Sequence, residues 1–173
     1  NITEPSLLIS SASILTDFNG FNVSCFADSN GLAEVVYSGG TIPYEVLWSN
    51  GDTTDIADSL AVGTYNVLVT DTNGCEINAS VTLNEPPILE LSADSSAVSC
   101  FGGADGFIDL TVVGGVPTYS FEWSNLETEE DTDSLMAGTY TVTVTDLNGC
   151  SDTLSNTITE PAAPISITET HIN

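Results

Sequence analysis

The chain of 173 residues contains no lysine and no arginine. Against 25 aspartates and glutamates stands a single histidine, His171, and the formal net charge is -25 at pH 7. No ion pair with Lys or Arg can therefore help hold the fold, and no such cation is present to grip an anionic substrate. A negative field of this size repels nucleic acids and anionic membrane surfaces, leaving solvent cations as its natural counterpart. Long apolar runs are missing too: nothing approaches the roughly 18 residues of a spanning helix, so no membrane insertion is expected. The opening NITEP lacks the basic region of a secretory signal, so the chain reads as an interior or processed piece. A pair of acids could serve a glycosidase. With His171 at the cut end and no base beside any Ser or Cys, however, the expectation is a protein that is not an enzyme and carries no cofactor, with calcium the one candidate.

What is present is a repeat. The stretch DSLAVGTYNVLVTDTNGC, ending at Cys75, returns as DSLMAGTYTVTVTDLNGC, ending at Cys150. Tyr65, Val67 and Val69, like Tyr140, Val142 and Val144, alternate with polar neighbours at the period of a half-buried strand. Asn73-Gly74 and Asn148-Gly149 read as two-residue hairpin turns, so the next strand should begin at the cysteine. Upstream, Val23-Ser-Cys-Phe26 matches Val98-Ser-Cys-Phe101, and Asn30-Gly31 matches Asp105-Gly106 as the turn into a strand. That strand alternates Ala33, Val35 and Tyr37, or Ile108, Leu110 and Val112, and a Gly-Gly pair ends it. The following strand carries Tyr44, Val46 and Trp48, or Tyr119, Phe121 and Trp123, with both Trp assigned to the core. The last strand presents Ala79, Val81 and Leu83, or Leu154, Asn156 and Ile158, where Asn156 is a misfit at an inward position. The first unit differs by the insertion DFNGFN, which holds Phe18 and Phe21. Glu85-Pro86-Pro87 and Glu160-Pro161 close the units with a stiff stop.

The Leu-x-x-Gly-Thr-Tyr segment resembles the tyrosine corner of immunoglobulin-like sandwiches. Short strands, frequent turn signals and a Trp strand complete the expectation: an all-β chain of tandem immunoglobulin-like antiparallel β-sandwich repeats. The boundaries read as 1–6, the last strand of a preceding repeat; 7–86 and 87–161, two repeats; and 162–173, the first strand of a following one.

The four cysteines fall at 25, 75, 100 and 150, one pair to each unit. Close Cys-x-x-Cys pairs of a zinc site are absent. Intra-unit disulfides, Cys25 to Cys75 and Cys100 to Cys150, are expected in preference to free buried thiols. Each would stabilise its unit by about 4 kcal/mol in the chain-entropy model and would require an oxidising compartment.

The run VSCFGGADGFIDLTVVGGVPTYSFEWSN, followed by LMAGTYTVTVTDLNGC and TITEP, resembles the SprB-type repeat of gliding-motility and cell-surface adhesins of Bacteroidota. The first unit departs from it with FADSNG in place of FGGADG. The resemblance implies an immunoglobulin-like sandwich, extracellular display at the cell surface through type IX secretion, and a part in adhesion or surface filaments. The function read from it is a stiff, disulfide-stapled spacer that displays an adhesive tip or transmits force from it. The alternative is a repeat that itself binds glycans or mediates chain-chain bundling. The partners expected are neighbouring repeats of the same chain, a homo-oligomeric bundle or filament, and surface or cell glycans.

Acids that recur between the units, Asp55/Glu130, Asp58/Asp133 and Asp71/Asp146, are candidate Ca²⁺ ligands because hard carboxylate oxygens suit that ion. Solubility and capping of turns is the plainer reading. Thr53, Ser59, Ser134 and Thr153 each follow an aspartate and precede Leu or Thr. They resemble the O-glycan acceptors of Bacteroidota, with unmodified polar turns as the alternative.

Overall fold

The computed structural model describes residues 4–162. The chain forms two compact units that meet in sequence at Ile88 and Leu89. Twelve strands, all in antiparallel pairs, run from β1 (Ile9–Ile14) through β2 (Gly31–Ser38), β3 (Tyr44–Trp48), β4 (Ile56–Leu60), β5 (Gly63–Asp71) and β6 (Glu76–Leu83) in the first unit. In the second they are β7 (Glu90–Ser96), β8 (Gly106–Val113), β9 (Ser120–Trp123), β10 (Thr132–Leu135), β11 (Gly138–Thr145) and β12 (Ser151–Ile158). The sheets are β1-β2-β4 with β3-β5-β6, and β7-β8-β10 with β9-β11-β12. Each unit thus changes sheet after its second, third and fourth strands and closes on a hairpin, the immunoglobulin-like course with three strands to a sheet.

Alternation decides which side chains meet between the sheets. Val67 and Val69 of β5, and Val142 and Val144 of β11, are fully buried beside Trp48 and Trp123, which are 1% and 2% exposed. Each indole N–H finds the carbonyl it needs, Thr54 O or Glu129 O at 3.0 Å, in the segment leading to the edge strand. The tyrosine corner is present in both units: the Tyr65 hydroxyl donates to Ala61 O and that of Tyr140 to Met136 O, each at 3.2 Å.

The turns differ from the expectation in three respects. Asp71 N bonds Cys75 O and Gly74 N bonds Asp71 O, both at 2.9 Å, which closes a three-residue loop. Only Gly74, at φ +80°, is left-handed there. A type I turn followed by a left-handed residue matches the strand twist as well as a two-residue turn does, so the next strand starts one residue late, at Glu76. The second unit repeats this with Gly149 at φ +86°. The two-residue Asn-Gly hairpin occurs instead in the insertion. Asn19 and Gly20 both have positive φ, 54° and 95°, and Phe18 and Phe21 exchange bonds at 2.7 and 3.2 Å. Finally, Gly31 and Gly106 open their strands for lack of room rather than to turn. A Cβ on Gly31 would stand 2.3 Å from Leu83 Cδ2 and 2.8 Å from Leu60 O, and one on Gly106 2.8 Å from Ile158 Cγ2.

The misfit Asn156 is answered from the facing sheet, where Ser95 Oγ donates to Asn156 Oδ1 at 3.1 Å. In the first unit the apolar Ile14 and Val81 belong to one cluster. Residues 4–8 form no strand, and the reading of 1–6 as an earlier unit's last strand lies partly outside the described residues, as does most of 162–173 with His171.

Candidate interaction surfaces at the poles of the unit and in a tyrosine groove

Each sandwich has two poles. At the hairpin pole of the first unit, Thr72 N bonds Thr41 O at 3.1 Å and Gly40 N bonds Ser6 O at 2.8 Å, gathering the β5–β6 turn, the β2–β3 loop and the incoming chain. At the loop pole, Asn22 N bonds Asn84 O at 3.1 Å, Asn84 N bonds Asn22 Oδ1 at 2.9 Å, and Ala27 N donates to Glu85 Oε2 at 2.8 Å. The second unit copies this, with Val98 N on Thr159 O at 3.1 Å and Gly102 N on Glu160 Oε2 at 2.8 Å. Glu85 and Glu160 therefore do more than precede a strand-ending proline: each anchors the cysteine-bearing loop.

This arrangement overturns the expected disulfides. Cys25 lies at the loop pole, between Asn22 and Ala27, which bond Asn84 and Glu85, whereas Cys75 lies at the hairpin pole, before β6. The eight residues of β6 span about 26 Å at about 3.3 Å each. A disulfide tolerates a Cα separation of about 7 Å at most. Cys100 and Cys150 are parted in the same way by β12. Accordingly Cys75 and Cys100 are free, exposed thiols, while Cys25 and Cys150 are disulfide-bonded. Equal spacing along the sequence concealed that the members of each pair occupy opposite ends of one strand.

The recurring acids do not converge either. Among the described residues no three acidic, Cys or His side chains are grouped to hold a metal. Asp71, 4% exposed, is engaged by backbone: Oδ1 accepts from Asn73 N at 2.9 Å and Cys75 N at 2.8 Å, and Oδ2 from Thr41 N at 3.0 Å. These bonds, that from Cys75 first, hold its carboxyl below the ordinary value. Asp146 takes the same three bonds from Asn148, Cys150 and Val116. Both are turn caps whose two oxygens are each engaged by backbone N–H. Asp58 and Asp133 accept from the neighbouring Ser59 and Ser134 hydroxyls at 2.9 and 2.8 Å, on edge strands β4 and β10. Asp55 is bonded to Tyr37, and Glu130 is exposed. The Ca²⁺ set is thus dispersed along each sandwich. Thr53, Ser59, Ser134 and Thr153 are all exposed.

The first unit also has a shallow groove of about 590 Å³, lined by Tyr37, Tyr44, Glu45, Leu47, Thr53 and Asp55. The two tyrosine rings meet edge to face, 4.9 Å between centroids and 67° between planes. Tyr37 donates to Asp55 Oδ1 at 2.7 Å, and this bond, followed by burial, raises the phenol above its ordinary value. The second unit has Val112 in place of Tyr37, so the groove's aromatic pair is not repeated. Tyr44 packs against the core yet stays half-exposed, beside a Tyr found in one unit only. Sequence reasoning did not single out Phe26 and Phe101, 48% and 50% exposed next to the loop cysteine. The signal was there, because an aromatic inside a turn-rich loop has no strand face on which to hide.

Two segments of the chain, residues 21–53 and 92–128, match the SprB repeat. The SprB matches take in the loop cysteine and the second and third strands of each unit, and stop short of the tyrosine corner. No curated protein matches the chain. Among solved structures, the N-terminal eight immunoglobulin domains of DSCAM are 14% identical over 88% of this chain, with a TM-score of 0.39, and the chain spans 25% of their length. An amphioxus IgVJ-C2 molecule is 17% identical over 77% of this chain and 97% of its own, with a TM-score of 0.35. A tetra-tandem repeat from the extending region of a large adhesion protein is 16% identical over 86% of this chain and 48% of its own, with a TM-score of 0.24. The two segments similar to the SprB repeat fit a repeat segment of a cell-surface adhesin.

Proposed function

We propose that the chain is a spacer: a run of sandwich repeats that carries an adhesive element away from the cell surface and transmits force to it, without catalysis. The observation that supports this reading most directly is the strand-for-strand identity of the two units, down to the Trp, tyrosine corner and aspartate cap. A selected ligand site is normally singular, whereas a spacer needs only copies of itself. Pro86 is buried and Pro87 follows it at once, so little free linker is left between Leu83 and β7. Export by type IX secretion and a place in gliding motility or filaments belong to the same reading, drawn from the kinship.

A glycan array on the purified chain tests it. A spacer binds nothing on the array, and in single-molecule pulling its units unfold one after another as separate events. Saturable binding to one glycan class would overturn the spacer reading.

The second reading is glycan binding, and the tyrosine groove of the first unit favours it. The edge-to-face tyrosines beside Asp55 and Thr53 offer a sugar both an apolar face and hydrogen-bond partners. On that reading Tyr37→Ala abolishes the array signal while the second unit, with Val112, contributes none.

A further inference from the structure

The two repeated cysteine positions form a set whose pairing the unit itself forbids. The loop position, Cys25 or Cys100, and the hairpin position, Cys75 or Cys150, stand at opposite poles of a sandwich, separated by a full strand. Yet both positions are chemically competent to form disulfides. One example of each, Cys25 and Cys150, is disulfide-bonded, while the remaining loop and hairpin cysteines, Cys100 and Cys75, are free and exposed.

The free pair is exposed, and large apolar side chains stand near each member. Phe101, beside Cys100, is 50% exposed, and the hairpin pole that carries Cys75 also presents Leu7 and Ile42, 82% and 73% exposed. Large side chains left bare at a pole of each unit are unusual in a chain of charge -25. The loop pole of the second unit offers an aromatic and a thiol, and the hairpin pole of the first two aliphatics and a thiol. No basic residue exists to favour an acidic partner protein, and a second copy is the occupant that presents the complementary pole.

We propose that Cys75 and Cys100 are the two halves of a disulfide made between copies, the hairpin cysteine of one joined to the loop cysteine of another, with Phe101 seated on Leu7 and Ile42. This deepens the spacer reading and rests on it for the pole-to-pole meeting of repeats. The chemistry is thiol–disulfide exchange. A low-molecular-weight disulfide is attacked by one cysteine thiolate, its S–S bond breaks, and one small thiol leaves. The thiolate of the second copy then attacks the mixed disulfide, forms the new S–S bond and releases the second small thiol. Two protein thiols are oxidised and one small disulfide is reduced. Covalent joints of this kind make a filament resist extension at its junctions as well as within its units. A failed glycan assay or a bound sugar would bear on the spacer reading alone, whereas the joint is tested through its thiols.

The test uses the folded chain in a redox buffer of reduced and oxidised glutathione. Wild-type protein is expected to give a ladder of covalent multimers on non-reducing gels that collapses with reductant. Digestion at Asp and Glu should then yield a peptide pair containing Cys75 and Cys100. Cys75→Ser alone and Cys100→Ser alone should each stay monomeric, and their equal mixture should give a dimer and nothing larger. Alkylating both thiols of wild-type protein before oxidation should abolish the ladder without any substitution. Monomer only, glutathione adducts only, or a Cys75→Ser dimer as abundant as the mixed one would each overturn the proposal.

Discussion

In a chain without lysine or arginine a buried carboxylate must be held by backbone, and Asp71 and Asp146 are the instances among the described residues. Three N–H groups stand at each where a cation would otherwise be, and at Asp71 they favour the ionised form. The folded-state pKa of Asp71 is lowered, so its contribution is present above the unfolded carboxylate pKa and is lost as pH falls through the folded value. Thermal melts of wild type and Asp71→Asn should accordingly differ at neutral pH and converge in strong acid; a gap that persists there would assign the effect to shape alone. The same charge raises the Cys75 thiol, so its alkylation should half-titrate above the ordinary thiol range and return toward it in Asp71→Asn. At Asn156 the comparison is between copies. Ser95→Ile with Asn156→Val rebuilds the Ile14–Val81 pairing of the first unit. It is expected to stabilise the second by about 1–2 kcal/mol, whereas Ser95→Ile alone leaves the amide unpaired and destabilises. Urea denaturation of the double-mutant cycle reads the coupling.

At the scale of the element, one hydrogen-bonded turn and one close approach fix the register. The Asp71–Cys75 loop sets β5 against β6 so that Val67 faces Ala79 and Val69 faces Ile77, all on the core side. A slip of one residue would turn that face to water. The start of β2 is fixed from above by Leu83 and Leu60, against which Gly31 is the one residue that fits. Gly31→Ala should therefore cost about 1–3 kcal/mol through overpacking, with Gly106→Ala toward the lower end because its closest backbone atom is 3.0 Å away rather than 2.8 Å. Equal losses in two-unit denaturation curves would refute the crowding argument. The loops on which this matters are legible only in part. Asn-Gly marks a turn in four places, but whether it closes a two-residue hairpin, as at Asn19-Gly20, or supplies one left-handed glycine, as at Gly74, depends on how many residues the flanking ladder leaves unpaired.

Over the whole molecule the electrostatics are one-sided. With -25 and nothing to pair against it, repulsion opposes compaction and is relieved by mobile cations. At a Debye length of about 8 Å in physiological salt much of that repulsion survives, and near 0.5 M it is greatly reduced. The melting temperature should rise from 10 mM to 1 M NaCl, and a flat profile would remove repulsion as a determinant. Acidification from neutrality has two opposed effects. Stability and side-by-side association should first increase as surface carboxylates protonate. Stability should then fall once the depressed carboxyls of Asp71 and Asp105 are reached. The absence of basic residues also removes every trypsin site, so unfolded chain should survive trypsin while Glu-specific protease cuts it.

The sequence by itself determined the repeat, the alternating strands, the burial of Trp48 and Trp123 and the tyrosine corner. Each of these is a local pattern of side-chain period or a fixed offset along one strand and its turn. The resemblance to SprB repeats was equally local, and the matching segments carry it. Tertiary structure alone decided what depends on which ends of strands come together. It placed Cys25 and Cys75 a strand-length apart, though their spacing had invited a bond. It spread the acids Asp55, Asp58 and Asp71 along the sandwich, though their recurrence had invited a metal. It brought Tyr37 beside Tyr44 and Ser95 beside Asn156 from different sheets. Spacing in sequence records how far the chain travels, and a sandwich that changes sheet after three successive strands erases the relation between that distance and proximity.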